Sequence, residues 1–230
     1  MSTDFIETED PRARPTLSRR SGFWQTCIVA IVLVACGAIM ILQVSRSQRP
    51  LPISGSVPAD LTLKDQEGRP FPLSSLRGKV WVASFIFTHC RDTCPCITAN
   101  LTALQDSVAA DPRLRAGVRF ASFSVDPERD SPSELKAYAQ RYGADTSLWT
   151  FLTGDRGAVA KLSQEIFQLP VGPAPLKDGS GNAPEIIHSD RLTLIDALGR
   201  IRGYYRPEPE ELRRLVSDLG RCLDEDGKAP

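Results

Sequence analysis

The sequence has no surplus charge of either sign: 28 Lys and Arg residues balance 28 Asp and Glu residues, and no basic stripe stands out. A nucleic-acid partner needs a clustered cationic face, so that class is set aside. Histidine is scarce, with only His89 and His188 in 230 residues. Six cysteines are too few for a disulfide scaffold at this length. No internal repeat and no EF-hand pattern are present, so the carboxylates from Asp126 to Asp130 read as a capped loop rather than a calcium site. What remains is an ordinary composition, 41% hydrophobic and 24% charged, with enough length for one or two domains.

One long apolar run breaks this ordinary pattern. Residues 23–44 read FWQTCIVAIVLVACGAIMILQV, about 22 residues without a charge. A hydrocarbon core of about 30 Å needs about 20 such residues, so this is a transmembrane anchor. Arg12, Arg14, Arg19 and Arg20 precede it, while Arg46 and Arg49 follow. That excess places the N-terminus in the cytoplasm and everything after Val44 on the extracytoplasmic, periplasmic side. An Ala-x-Ala cleavage site is absent. Leu33-Val34-Ala35-Cys36-Gly37 looks like a bacterial lipobox, which would put a lipid on Cys36. Residues 37–44 stay apolar, which favours the uncleaved span. The expected organisation is a cytoplasmic tail over 1–21, an anchor over 22–44, a linker over 45–54, a folded domain over 55–222 and a tail over 223–230.

Within the domain, residues 61–63 and 71–73 flank a turn at Glu67-Gly68 and read as a hairpin. Residues 80–87 (VWVASFIF) form a continuous apolar run, as a central buried strand requires. Residues 95–108 read as a helix and 118–125 as a second buried strand. Ser131-Pro132-Ser133-Glu134 is a capping box with proline at the first helical position, opening a helix to about Tyr142. Residues 149–152 are a short strand, and Asp155 caps a helix to about Gln168. Residues 169–185 are a loop rich in proline and glycine, with His188 at its far end. A hairpin over 192–196 and 201–205 and a helix over 210–220 complete the chain. Strands alternating with helices, then a hairpin and a helix, fit an α/β sheet of the thioredoxin type.

The chemistry concentrates directly after the first central strand. Cys90 and Cys94 are four apart. If a helix begins there, both lie on one face, close enough to share a metal or to form a disulfide. A helix N-terminus favours thiolate, the form that binds soft metals and attacks disulfides. Two thiolates and one imidazole make a soft, low-coordinate set that suits Cu(I) and takes Cu(II) with an added ligand. Structural zinc wants four protein ligands; Cys96 is the fourth on offer but points to another helix face from Cys94. Cys96 reads as a buried or half-buried helix residue, with a third redox thiol as the alternative. Cys222 reads as a packing residue, His89 as a neighbour rather than a ligand, and Asp92 either as a charge that tunes the site or as a solvated loop carboxylate.

The segment Phe87-Thr88-His89-Cys90-Arg91-Asp92-Thr93-Cys94-Pro95 resembles the Cys-x-x-x-Cys-Pro motif of the Sco/SenC family. Ser124-Val125-Asp126-Pro127-Glu128-Arg129-Asp130 resembles that family's Ser-Val-Asp-Pro-x-x-Asp segment. His188-Ser189, followed by Leu194-Ile195-Asp196, resembles its distal histidine segment. The resemblance implies a thioredoxin-like fold and copper held by Cys90, Cys94 and His188. It also implies a role in assembling the CuA centre of cytochrome c oxidase, with the copper-bearing subunit or another copper chaperone as partner. Cys96 departs from the family pattern. Two functions follow as expectations: a copper metallochaperone without turnover, or a thiol–disulfide oxidoreductase that uses Cys90 and Cys94 on the cysteines of a copper-site target. A plain thioredoxin more usually carries Cys-x-x-Cys, and a peroxidase of the same fold needs a peroxidatic cysteine loop that is not found.

Overall fold

The computed structural model describes residues 20–47, 50–90, 93–169, 172–173, 186–187 and 189–227. The chain divides into two units, Met1–Arg49 and Pro50–Pro230. Among its described residues the first carries the 28-residue helix α1 (Arg20–Ser47). Its large apolar side chains Trp24, Ile28, Val29, Ile31, Val32, Leu33, Val34 and Met40 are exposed. Among the described residues, no helix is long and apolar enough to cross a membrane. The side chains of residues 20–23, 25, 26, 39 and 41–47 lie outside those described.

In the second unit the elements follow in the order β1 (Gly55–Ser56), β2 (Thr62–Asp65), β3 (Pro70–Pro72), a 3-10 turn (Leu73–Leu76), β4 (Val80–Ile86), α2 (Thr93–Ala110), α3 (Pro112–Gly117), β5 (Val118–Ser124), α4 (Pro132–Arg141), β6 (Trp149–Thr153), α5 (Arg156–Lys161), a π turn (Leu162–Ile166), β7 (Gly172–Pro173), β8 (Ile186–Ile187), β9 (Leu192–Ile195), β10 (Arg200–Tyr205) and α6 (Pro209–Asp226). Eight strands form one mixed sheet in the order β1-β10-β9-β4-β5-β6-β2-β3. All seven residues of β4 are buried, as its unbroken apolar run demands. It pairs in parallel with β5, from Val80↔Val118 to Ile86↔Ser124, and antiparallel with β9, from Trp81↔Ile195 to Ala83↔Thr193. Alternate residues feed two cores. Val80, Val82 and Ile86 pack with Leu101, Leu104, Leu135, Leu215 and Leu219 of α2, α4 and α6. Trp81, Ala83 and Phe85 pack with Leu73, Val159, Leu162 and Phe167 on the other face. The result is a thioredoxin-like sheet covered on both sides.

Local signals operate as the sequence suggests at most junctions. Ser131 accepts the Glu134 amide at 3.3 Å and starts α4, and Asp155 accepts that of Ala158 at 2.8 Å and starts α5. The β2–β3 hairpin turns at Gly68, whose φ of 75° is the left-handed conformation glycine tolerates. Three expectations need correction. Helix α2 begins at Thr93, two residues before Pro95, so Cys94 lies inside its first turn. The helix after Asp155 gives way to a π turn at Leu162 instead of continuing to Gln168. Cys96 is exposed: the buried stripe of α2 is Cys94, Ile97, Leu101 and Leu104, and Cys96 falls outside it.

The C-terminal part closes around a buried guanidinium. Arg202, 2% exposed, donates to Asp196 Oδ2 at 2.9 Å, to Glu225 Oε2 at 2.5 Å and to the Leu51 carbonyl at 2.8 Å. The Leu51 amide donates to Glu225 Oε1 at 3.3 Å. Beside this cluster Cys222 is fully buried, and burial pushes its thiol up to about 12. A thiol harder to ionise folded than unfolded binds more protons in the folded state above the ordinary thiol range. Its stabilising contribution is therefore complete below about pH 9 and is lost as pH rises towards 12. In reducing buffer, denaturant melts at about pH 8 and pH 10 are expected to show a smaller fall in stability for Cys222→Ala than for the wild type, by about 1 kcal/mol.

Candidate metal centre

Strand β4 ends at Ile86, and the next residues turn away from the sheet. The Cys90 amide donates to the Phe87 carbonyl at 3.2 Å, closing that turn. Helix α2 starts three residues after Cys90. Its early amides have no intrahelical partner, and the Cys94 N–H donates to Cys90 Sγ at 3.4 Å. The sulfur of Cys90 thus sits against the opening turn of the helix that carries Cys94. No disulfide joins the two. Cys90 is half-buried and Cys94 fully buried, both packed against the α2 side of the core.

Burial outweighs the helix terminus at Cys94. Desolvation pushes its thiol well above the ordinary range; Cys90 and the charge of Asp130 act the same way, and a backbone hydrogen bond from Phe87 opposes them. The expectation that the helix end favours thiolate there is therefore corrected. Burial thus favours the neutral thiol at Cys94 over an unpaired thiolate.

The cysteine turn is fastened by a buried carboxylate from the loop after the neighbouring strand β5. Asp130 is 0% exposed. It accepts the Thr88 amide at 3.3 and 3.1 Å, the Thr88 hydroxyl at 2.6 Å and the Ser124 hydroxyl at 2.6 Å. Ser124 Oγ in turn accepts the Asp126 amide at 3.1 Å, and the Asp130 amide returns to the Asp126 carbonyl at 2.9 Å. The segment after β5 is thus a built loop whose carboxylate grips the segment after β4. Sequence reasoning recognised the loop but missed this role for Asp130 and Thr88. The available signal was the position of both segments at the C-terminal ends of two adjacent buried parallel strands, where functional loops gather.

His188 and Asp92 lie outside the described residues. Ser189, next to His188, is buried, and its Oγ accepts the Arg191 amide at 3.2 Å. The antiparallel register of β9 with β4 brings the start of β9 to the end of β4 from which Cys90 departs. Among the described residues, no three His, Cys, Asp or Glu side chains gather to hold a metal. His89 is half exposed and lies 3.8 Å from Asp130 through Nδ1.

A family model described as SCO1/SenC matches residues 54–224. The SCO1 protein homolog of Bacillus subtilis strain 168 is 33% identical over 193 residues, spanning 84% of this chain and 91% of that protein. The structure of BsSco, described as a member of the Sco family of cytochrome c oxidase assembly proteins with a disulfide switch, superposes with a TM-score of 0.63 at 31% identity, covering 77% of this chain and 99% of that one. Bradyrhizobium japonicum ScoI with copper bound superposes with a TM-score of 0.59 at 26% identity, covering 72% and 99%.

Asp130→Asn tests the fastening. An amide offers one acceptor oxygen where two carboxylate oxygens now receive three donor groups. Chemical denaturation is expected to show a loss of about 2–3 kcal/mol, and Thr88→Val a smaller loss of about 1 kcal/mol.

Proposed function

The chain belongs to the SCO1/SenC family, and from that premise we propose that it is a membrane-anchored copper metallochaperone serving the CuA centre of cytochrome c oxidase. The observation that carries the reading is the Cys90–Cys94 pair, one sulfur at the opening turn of α2 and the other buried within it. Two thiolates suit Cu(I), and His188 completes the set. The buried start of β9 at the same end of the sheet supports its inclusion. Copper bound to ScoI of Bradyrhizobium japonicum supports the cargo, and the family description of BsSco supports the destination. The partner is the copper-bearing oxidase subunit or another copper chaperone.

The anchor is α1. The uncharged run over residues 23–44 and the exposed large apolar side chains of α1 support this part of the reading. The arginine distribution supports an N-terminus in the cytoplasm and a copper domain on the extracytoplasmic side. A second reading rests on the same sulfur geometry. Joining Cys90 and Cys94 as a disulfide releases two electrons and two protons and removes both thiolate ligands, so the pair also suits a thiol–disulfide oxidoreductase. The disulfide switch described for BsSco favours keeping this reading.

A Cu(I) competition titration of the reduced, detergent-solubilised chain separates the two. One-to-one binding that falls by at least about tenfold in both Cys94→Ser and His188→Ala is expected. Binding lost in Cys94→Ser but unchanged in His188→Ala would remove His188 from the set. Absence of Cu(I) binding in the wild type would sink the metallochaperone reading and leave the thiol exchanger.

A further inference from the structure

The hydrogen bonds around Thr88 fix more than the cysteine turn. The Thr88 hydroxyl has one proton, and at 2.6 Å it is given to Asp130 Oδ1, because a carboxylate accepts and cannot donate. Thr88 Oγ1 also lies 3.0 Å from His89 Nδ1. With its proton committed, the hydroxyl oxygen can only accept there, so Nδ1 must carry the hydrogen. A neutral imidazole holds one ring proton, and Nε2 is then left with a bare lone pair. This tautomer is inferred from the direction of the bonds. The side chain of His89 is 53% exposed, and among the described residues nothing bonds Nε2. The chain Asp130–Thr88–His89 has the form in which proteins present a histidine to a metal, one ring nitrogen held by an oxygen partner and the other open.

We propose that His89 Nε2 is an outer copper donor of this protein, taking the ion from a delivering ligand before it passes to the neighbouring cysteines. The inference rests on the copper reading above and adds an acceptance step to it. The buried sulfur of Cys94 makes that step useful, since an incoming ion cannot meet it first. His89 directly precedes the half-buried Cys90. The step is a ligand exchange: a bond from copper to Nε2 forms as one to the delivering ligand breaks, and the oxidation state does not change.

Two measurements on the reduced, detergent-solubilised full chain test this. With only two histidines in the sequence, selective ¹⁵N-histidine labelling and a His188→Ala control assign the ring signals of His89. The expected result is the Nδ1–H form in the metal-free protein; the Nε2–H form would overturn the proposal. Stopped-flow capture of Cu(I) from a glutathione complex then compares the wild type with His89→Ala. The variant is expected to capture copper roughly tenfold more slowly, with equilibrium affinity within about threefold and with added imidazole restoring the rate. An unchanged rate would overturn the proposal while the copper reading stands. An affinity loss beyond about tenfold would also overturn it, making His89 a resident ligand. A wild type that binds no Cu(I) would bring down the copper reading itself, and this inference with it.

Discussion

The buried carboxylate of Asp130 is the constraint on which the architecture of the site depends. Strands β4 and β5 run parallel and end side by side, so their following loops share one end of the sheet. Proximity alone leaves such loops independent. Asp130 joins them by taking the amide and the hydroxyl of Thr88 and the hydroxyl of Ser124. A fully buried carboxylate is costly unless its lone pairs are met. Here satisfying them and placing the cysteine turn are the same act. The residues that follow Thr88 inherit that placement: His89 through the threonine oxygen, and Cys90 through the turn that closes on Phe87.

The two cysteines, four apart, occupy opposite sides of a solvation boundary. Cys94 belongs to the core as much as to the site, packed among the residues that α2 buries against the sheet. Cys90 precedes the helix and remains partly open. Burial makes an isolated charge at Cys94 unfavourable, while a bound soft cation removes that cost by supplying the counter-charge. The same environment disfavours spontaneous reaction of the inner sulfur, because the thiolate is the reactive form.

Much of the fold was legible in the sequence because its strongest signals are local. The unbroken apolar runs at 80–87 and 118–125, the Ser131–Glu134 box and the Gly68 turn each act over a few residues. Helix α3 was passed over although Asp111 caps it through Arg113 and Leu114; six residues carry too little periodicity to register. The two-residue β1 is set by its partner β10 and has no signal of its own. The Cys-x-x-x-Cys pattern sets the two sulfurs four apart in the chain, but the depth of each depends on where α2 begins, and a two-residue shift moves Cys94 into the first turn. The role of Asp130 was hidden for a different reason. Its partner Thr88 lies 42 residues away, and only the pairing of two parallel strands makes them neighbours. His188 belongs to a segment whose position local periodicity does not specify.

The clamp around Leu51 has a mechanical consequence. The chain reaches the folded unit at Pro50, and the next residue is held at both backbone groups, its carbonyl by Arg202 and its amide by Glu225. Arg202 lies on β10, Asp196 directly follows β9, and Glu225 belongs to α6. Tension drawn through the preceding segment reaches these contacts before the two-residue edge strand β1. It meets Leu51 first and is shared among a hairpin and the closing helix. Because β9 hydrogen-bonds to β4, the clamp couples the point where the chain enters the folded unit to the middle of the sheet.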